Sequence, residues 1–483
     1  MATLKSRVFK GAGWVGLLRG FQKVVSFSRK IILARLLFPE DFGLFGIAIL
    51  LLSGFEVLTR TGFRDAVIHI RDEISEYLHT AYWIQAARGL VIGFLVYVGA
   101  PLVAQFFGEP KVTPIVKVLA LVQVLRGFRS IGVVMLRRAV NFRDESLFRA
   151  TGIVTEFLVT VGLAILLRDV WALVWGRIAK EGVLLLVSFR IHPYRPRLHL
   201  DGKKAMEMFQ YGIWLLGAGI VSYVALNADN VVAGRWIGAG ALGVYQMGYA
   251  IANLPTNEIS KQVGRVFQSG FAELQRNELK LQACLRKALL LLFAVMLPSV
   301  VGIALTGHIA VPFVLGQKWN EIIPILPILA FGSLFRGIST LFGTFHKATG
   351  NTDYLFYSEC FRSFILCVGL SICIVYSYGL VSISWSFFSS ALGSSVLYVY
   401  LTKDYLSPIK ILAQTIPTIT SVVVMSASLY PVVMSKIHVP DLVYFGGVVV
   451  AGVTIYTVVH VITERLVSFR AFYWSYKKIK SVA

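Results

Sequence analysis

Residues 288–306 read ALLLLFAVMLPSVVGIALT, an apolar run without a single charged side chain. A helix needs about 20 such residues to cross the hydrocarbon core of a bilayer. The run is continuously apolar rather than alternating, so it reads as a spanning helix and not as a barrel strand. Comparable runs follow one another along most of the chain. Spans are expected near 12–37, 41–62, 78–106, 113–136, 146–167 and 170–190. A second set is expected near 206–237, 241–264, 283–306, 323–345, 354–377 and 380–402, and two more near 409–433 and 441–462. The expected fold is an all-α polytopic membrane protein with about fourteen transmembrane helices.

Composition excludes a water-facing surface. The chain has 483 residues, 56% of them hydrophobic and 15% charged, with a mean hydropathy of +0.71. A soluble domain carries about 25% charge. No cleavable signal peptide is expected, because the segment after MATLKSRVFKGAGW contains Arg19, Lys23, Arg29 and Lys30, whereas a signal core is short and uncharged. Cys284, Cys360, Cys367 and Cys373 lie in apolar stretches without CxxC spacing. They read as small buried side chains, and neither a metal nor a cofactor is expected.

The formal net charge of +22 would suggest nucleic acid in a soluble protein. Here the basic residues recur between apolar runs, which is the pattern of membrane topology. One set of connectors carries Arg60, Arg64 and Arg71; Arg137, Arg138 and Arg143; and Arg190, Arg195, Arg197, Lys203 and Lys204. Lys261, Arg265, Arg276, Lys280, Arg286 and Lys287 continue it, as does a tail with Arg465, Arg470, Lys477, Lys478 and Lys480. The alternate connectors, at Phe38, Gly108, Arg168 and Gly238, are short and nearly neutral. The basic set is therefore expected in the cytoplasm, with both termini inside and the protein in the cell (inner, cytoplasmic) membrane. No nucleic-acid partner is expected.

The chain also repeats itself. An offset of 200 pairs Phe9 with Phe209, Trp14 with Trp214, Arg35 with Arg235 and Gly43 with Gly243. Farther along, an offset of 210 pairs Ile115 with Ile325, Ala120 with Ala330, Arg126 with Arg336, Gly127 with Gly337 and Asn141 with Asn351. Six spans separate the copies, so both begin on the same side of the membrane. The expected organisation is two parallel six-helix bundles, 1–200 and 201–405, followed by two extra helices and a tail in 406–483. Such halves usually enclose a central substrate site.

Charges inside the spans mark candidate function. Arg19, Lys23, Ser26 and Lys30 share one face of the first span, with Gln22 and Arg29 beside it. Each cation facing lipid near the bilayer centre would cost roughly 2.5–3.5 kcal/mol. A water-filled cavity or an anionic ligand removes most of that cost. Snorkelling serves Lys30 near a span end but hardly Arg19 or Lys23. Arg60 and Arg64 on span two, Arg88 on span three, and Arg126 and Arg129 on span four are candidates for the same cavity. Cytoplasmic topology alone is an alternative for Arg60 and Arg64. Glu56 and Arg60 form a possible ion pair at i,i+4, and Arg177, Lys180 and Glu181 read as a local charge cluster. On span seven, Asn227, Asp229 and Asn230 interrupt an apolar run. Asp229 is a candidate for proton or sodium coupling, with a structural pair to Arg235 or to another cation as the alternative.

Several stretches together resemble the polysaccharide flippases of the multidrug/oligosaccharidyl-lipid/polysaccharide exporter superfamily. They are LARLLFPEDFGLFGIA (33–48), FGEPKVTPIVKVLAL (107–121), LRRAVNFR (136–143) and ADNVVAGRWIGAGALGVYQMGYAIANLP (228–255). The resemblance runs from near residue 10 to about residue 350, and Asp229 falls on an acidic position of that family. It implies a V-shaped pair of bundles alternating between inward and outward openings. It also implies a polyprenyl-diphosphate-linked oligosaccharide as substrate, with membrane lipids and the glycosyltransferases and polymerase of polysaccharide assembly as expected partners. Arg and Lys suit a diphosphate through charge-assisted hydrogen bonds.

A drug or sodium antiporter of the same superfamily would need few cavity cations. A peptidoglycan-precursor flippase shares the charge logic, but the stretches quoted favour polysaccharide. A membrane polymerase or ligase would present a large outer loop with catalytic carboxylates or a Ser/His/Asp set. The outer connectors are too short for that, so no enzymatic activity is expected. Single cysteines introduced into the 190–204 connector should resist an impermeant thiol reagent applied from outside and react after the membrane is opened; labelling in sealed cells would reverse the orientation.

Overall fold

Short polar residues and prolines set where the helices begin. The Asp41 carboxylate accepts from the Phe38 backbone N–H at 2.9 Å, holding the turn between α1 (Leu4–Leu36) and α2 (Pro39–Leu58). Pro39 opens α2 at a position whose N–H would be unpaired in any helix. Gly108, at φ 71°, turns α3 (Ile74–Phe107) into α4 (Val112–Gly127). Asn141 starts α6 (Phe142–Leu167) by accepting from the Asp144 N–H, and Asp144 and Glu145 place negative charge in its first turn. A left-handed Arg168, at φ 51°, leads on to α7 (Trp171–Ile191).

The computed structural model describes residues 4–58, 74–138, 141–197, 223–376, 379–406, 408–435 and 441–480. Arg60, Arg64, Arg71, Lys203, Lys204, Phe209 and Trp214 lie outside them, as do the side chains of Trp14 and Arg19. Among the described residues every regular element is helical. Among the described residues, eight helices are long and apolar enough to cross a membrane, including Leu78–Phe107, Arg143–Leu167 and Glu278–Val314. Large apolar side chains such as Leu166, Phe364 and Val450 are exposed on them, which suits lipid rather than water.

The described chain forms two compact units, Met1–Gly243 and Val244–Ala483. In the first, α3 packs on α4, α6 on α7, and α1 on α6. Span four, expected as one helix, instead ends at Gly127 and resumes as the short α5 (Gly132–Arg138). The break coincides with a close crossing: a Cβ on Gly89 of α3 would lie 2.6 Å from the Gly127 Cα. Backbones approach this closely only where side chains are absent. The helix at 223–232 widens into a π-helical turn at Ala233–Ile237 and is followed by α9 (Ala239–Ala252); we number it α8.

A second close approach involves a pair that the 200-residue offset matches. A Cβ on Gly43 would sit 1.7 Å from the Ala239 carbonyl oxygen, and one on Gly243 would sit 1.9 Å from that of Pro39. Pro39 and Ala239 are themselves 200 residues apart. The contact is therefore reciprocal.

The second unit contains α10 (Lys261–Glu273), α11 (Glu278–Ala310), α12 (Ile322–Thr349), α13 (Thr352–Val375), α14 (Leu380–Leu401), α15 (Pro408–Met434) and α16 (Asp441–Lys480). Its centre is α12, which buries Leu326, Leu329, Ala330, Phe342 and Phe345 against α11 and α14. Val422, Met425, Leu429 and Val433 of α15 and Val448 of α16 pack together, with Leu297 and Val301 of α11 against them.

Replacing Gly89 by Leu should force α3 from α4 and destabilise the fold by about 1–3 kcal/mol, as overpacking does. Gly99→Leu on the same helix, where nothing lies within 4 Å, should leave the melting temperature unchanged. Thermal unfolding of both variants in detergent, followed by size-exclusion chromatography, makes the comparison.

Candidate anion site in the N-terminal unit

The first helix divides its polar residues between two neighbouring stripes. Gln22 and Arg29, seven residues apart, face α6: Gln22 donates to the Ser146 carbonyl at 3.1 Å, and Arg29 reaches Glu156 at 2.6 Å. Lys23 and Lys30, the next stripe round, are exposed, and Ser26 is half-buried. Glu156 is buried and also holds Lys180 at 2.6 Å and Arg177 at 3.7 Å, both from α7. The carboxylate therefore ties three helices together through three cations.

A second cluster lies where α2, α3, α4 and α7 converge. Gln85 of α3 donates to the carbonyls of Arg126, Gly127 and Arg129 at 3.3, 2.9 and 3.0 Å. These carbonyls lie at and just past the end of α4, where a helix has too few N–H groups left to satisfy them all. Fixing them orients the side chains of Arg126 and Arg129. Arg126 reaches Glu181 of α7 at 3.0 Å and Glu56 of α2 at 2.7 Å. Arg129 pairs with the other oxygen of Glu181. Arg88 donates to the backbone carbonyl of Glu56 at 2.8 Å. The pairs to the buried Glu181 add little net stability, but removing one partner there strands a charge at large cost.

Of the residues expected on sequence grounds, Arg88, Arg126 and Arg129 come together. Lys23 and Lys30 lie on the exposed stripe of α1. The expected Glu56–Arg60 pair cannot be placed, since Arg60 and Arg64 fall outside the described residues; the described partner of Glu56 is Arg126. Arg177, Lys180 and Glu181 are not merely a local cluster, because their partners stand on other helices. Glu156 was missed. Its signal was a lone acid inside the apolar run GIVTEFLVTVG (152–162). Gln85 as the holder of a helix end had no sequence signal.

On α8, Asp229 is buried and accepts from the Asn230 backbone N–H at 2.9 Å and its amide at 3.1 Å. Asn227 donates to the Tyr223 carbonyl of its own helix at 2.9 Å. Arg235, considered as a partner for Asp229, lies over the rings of Phe106 and Trp236. In the second unit Arg336, the match of Arg126, donates to the Tyr249 hydroxyl and lies over its ring. Among the described residues no group of three or more metal-ligating side chains occurs.

A cavity of about 390 Å³ lies at the opposite end of the first unit, lined by Phe38, Asp41, Lys111, Arg168 and Trp171 among others. At its edge Lys111 pairs with Glu40 at 2.9 Å, and that carboxylate holds the ammonium above the usual lysine range.

Comparison with known proteins adds to this geometry. The chain is 26% identical over 370 residues to the lipopolysaccharide biosynthesis protein WzxC of Escherichia coli (strain K12), covering 75% of this chain and 74% of that one. It is 25% identical over 334 residues to the teichuronic acid biosynthesis protein TuaB of Bacillus subtilis (strain 168), 68% of each. The succinoglycan biosynthesis transport protein ExoT of Rhizobium meliloti (strain 1021) is 22% identical over 359 residues, 74% of this chain and 72% of that one. In fold, the lipid II flippase MurJ in an inward closed conformation matches with a TM-score of 0.74 at 14% identity, over 94% of this chain and 99% of that one. An inward-facing multidrug resistance MATE transporter matches with a TM-score of 0.61 at 14% identity, over 82% and 95%. The family described as polysaccharide biosynthesis protein matches residues 32–324, more than half of the chain, and this multi-pass membrane protein belongs to it.

Proposed function

We propose that this protein is a flippase that carries polyprenyl-diphosphate-linked oligosaccharides from the cytoplasmic to the outer leaflet. The observation that carries this reading is the surplus of cations in the helices of the first unit. Arg29, Arg88, Arg126, Arg129, Arg177 and Lys180 stand against Glu56, Glu156 and Glu181, with Lys23 and Lys30 beyond them. Polar side chains inside spanning helices are costly and mark substrate paths. A diphosphate is the anion that arginine forks suit.

Family membership and relatives named for lipopolysaccharide, teichuronic acid and succinoglycan support a saccharide cargo. Peptidoglycan precursor is the alternative cargo, since it carries the same diphosphate chemistry. A cationic drug fits poorly beside these side chains. The protein transports and does not transform its substrate.

Lys23, Lys30, Arg88, Arg126 and Arg129 bind the diphosphate in this reading, with Arg19, Arg60 and Arg64 joining them. The chain works as two six-helix halves, 1–200 and 201–405, with 406–483 appended, about fourteen spans in all. The membrane potential assists: moving negative charge out of an inside-negative cell gains roughly 2.3 kcal/mol per charge per 100 mV. Asp229 and its Asn neighbours provide the site for a coupling proton or sodium ion.

Two measurements test these roles. Lys23→Gln with Arg88→Gln should lower export of lipid-linked oligosaccharide by about tenfold or more, the loss of at least one charge-assisted hydrogen bond, at normal protein level. Export at the normal rate would make the cations structural. Separately, Asp229→Asn should leave insertion intact and alter the response of transport to imposed proton or sodium gradients in vesicles; an unchanged response removes Asp229 from the coupling.

A further inference from the structure

Arg126 is held by two carboxylates that differ in how firmly they are themselves held. The Glu181 side chain is 2% exposed and uses both oxygens, one on Arg126 and one on Arg129. The Glu56 side chain is 48% exposed and meets Arg126 through Oε2 alone, at 2.7 Å. Glu181 engages Nη2 of the guanidinium and Glu56 engages Nη1. Removing Glu181 from the interior would leave two guanidinium groups without their buried partner, which is strongly unfavourable. Moving Glu56 away costs less, because its half-exposed carboxylate regains water and Arg126 keeps its pair with Glu181.

We propose that Glu56 is an exchangeable counter-ion. Its carboxylate occupies the Nη1 edge of Arg126 between transport events, and a phosphate oxygen of the lipid diphosphate takes its place while substrate is bound. This deepens the flippase reading above and rests on it. Arg88 donates to the backbone of the same Glu56 residue, so a second guanidinium stands beside the exchanging group. Glu181 keeps Arg126 and Arg129 aimed throughout. The exchange swaps one anion for another, so Arg126 never loses its counter-charge. When Glu56 returns it competes with the diphosphate and speeds release. Glu56 is thus a positioning residue whose negative charge weakens substrate binding, the opposite of what a purely structural contact does.

The test uses the full chain in lipid nanodiscs, titrated with undecaprenyl diphosphate and followed by thermophoresis, with inorganic pyrophosphate as competitor. Glu56→Gln keeps the shape and removes the charge. It should bind the lipid about tenfold more tightly than the wild type, a change of about 1.4 kcal/mol. Glu56→Asp, which restores the charge, should return affinity to within about threefold of the wild type. Both should elute as the wild type does in size-exclusion chromatography. Equal or weaker binding by Glu56→Gln, with binding lost in Arg126→Gln, would overturn the exchange and leave the flippase reading standing. Absence of binding by the wild type would overturn both.

Discussion

A positive charge cannot rest in the middle of a bilayer without company, and the first unit is arranged around that constraint. Arginines and lysines at helix centres cost roughly 2.5–3.5 kcal/mol each on insertion scales. Glu156 and Glu181 answer this from inside the helix packing, Glu156 gathering cations from α1 and α7 and Glu181 the two arginines at and just past the end of α4. The ion pairs decide which faces of α1, α4, α6 and α7 turn toward one another. On α1 they draw Gln22 and Arg29 against α6, and the adjacent stripe with Lys23 and Lys30 is left exposed.

Close helix contact depends on a different device. Lipid tails are as apolar as leucine, so burying apolar surface gives helices little reason to associate. Removing side chains does, because backbones can then approach. Gly89 and Gly127 do this for α3 and α4, and Gly176 for α7, where a Cβ would lie 1.8 Å from Thr160 Oγ1 on α6. The same crossing at Gly127 ends α4 and presents its last carbonyls to Gln85. Packing and site geometry meet at that point.

Much of this was legible in the sequence. Hydropathy located the helices because length and apolar character are local properties of the chain. The cations were legible for the same reason: a charge in an apolar run is conspicuous wherever it stands. What could not be read was which charge answers which. Glu181 and Arg126 are 55 residues apart and meet only because α4 and α7 pack together. The i,i+4 rule looks along one helix and so offered Arg60 to Glu56; it could not offer Arg126 of α4, 70 residues away. The end of α4 at Gly127 was likewise hidden, since the run continues apolar through Ile131–Leu136 and the break depends on a neighbouring helix.

The reciprocal contact of Gly43 with Ala239 and of Gly243 with Pro39 has a consequence for how far this sequence can drift. In a two-fold homodimer a single codon serves both sides of such a contact, and any replacement strikes twice. Here the two sides are encoded separately, so each glycine meets mutation alone. Neither can compensate for the other, because each already carries the smallest side chain and each is opposed by backbone. The positions around them are free to diverge, as Arg126 and Arg336 have done in their partners, one taking carboxylates and the other a phenol. In related chains the two glycines should therefore persist as a pair long after the rest of the repeat has become unrecognisable.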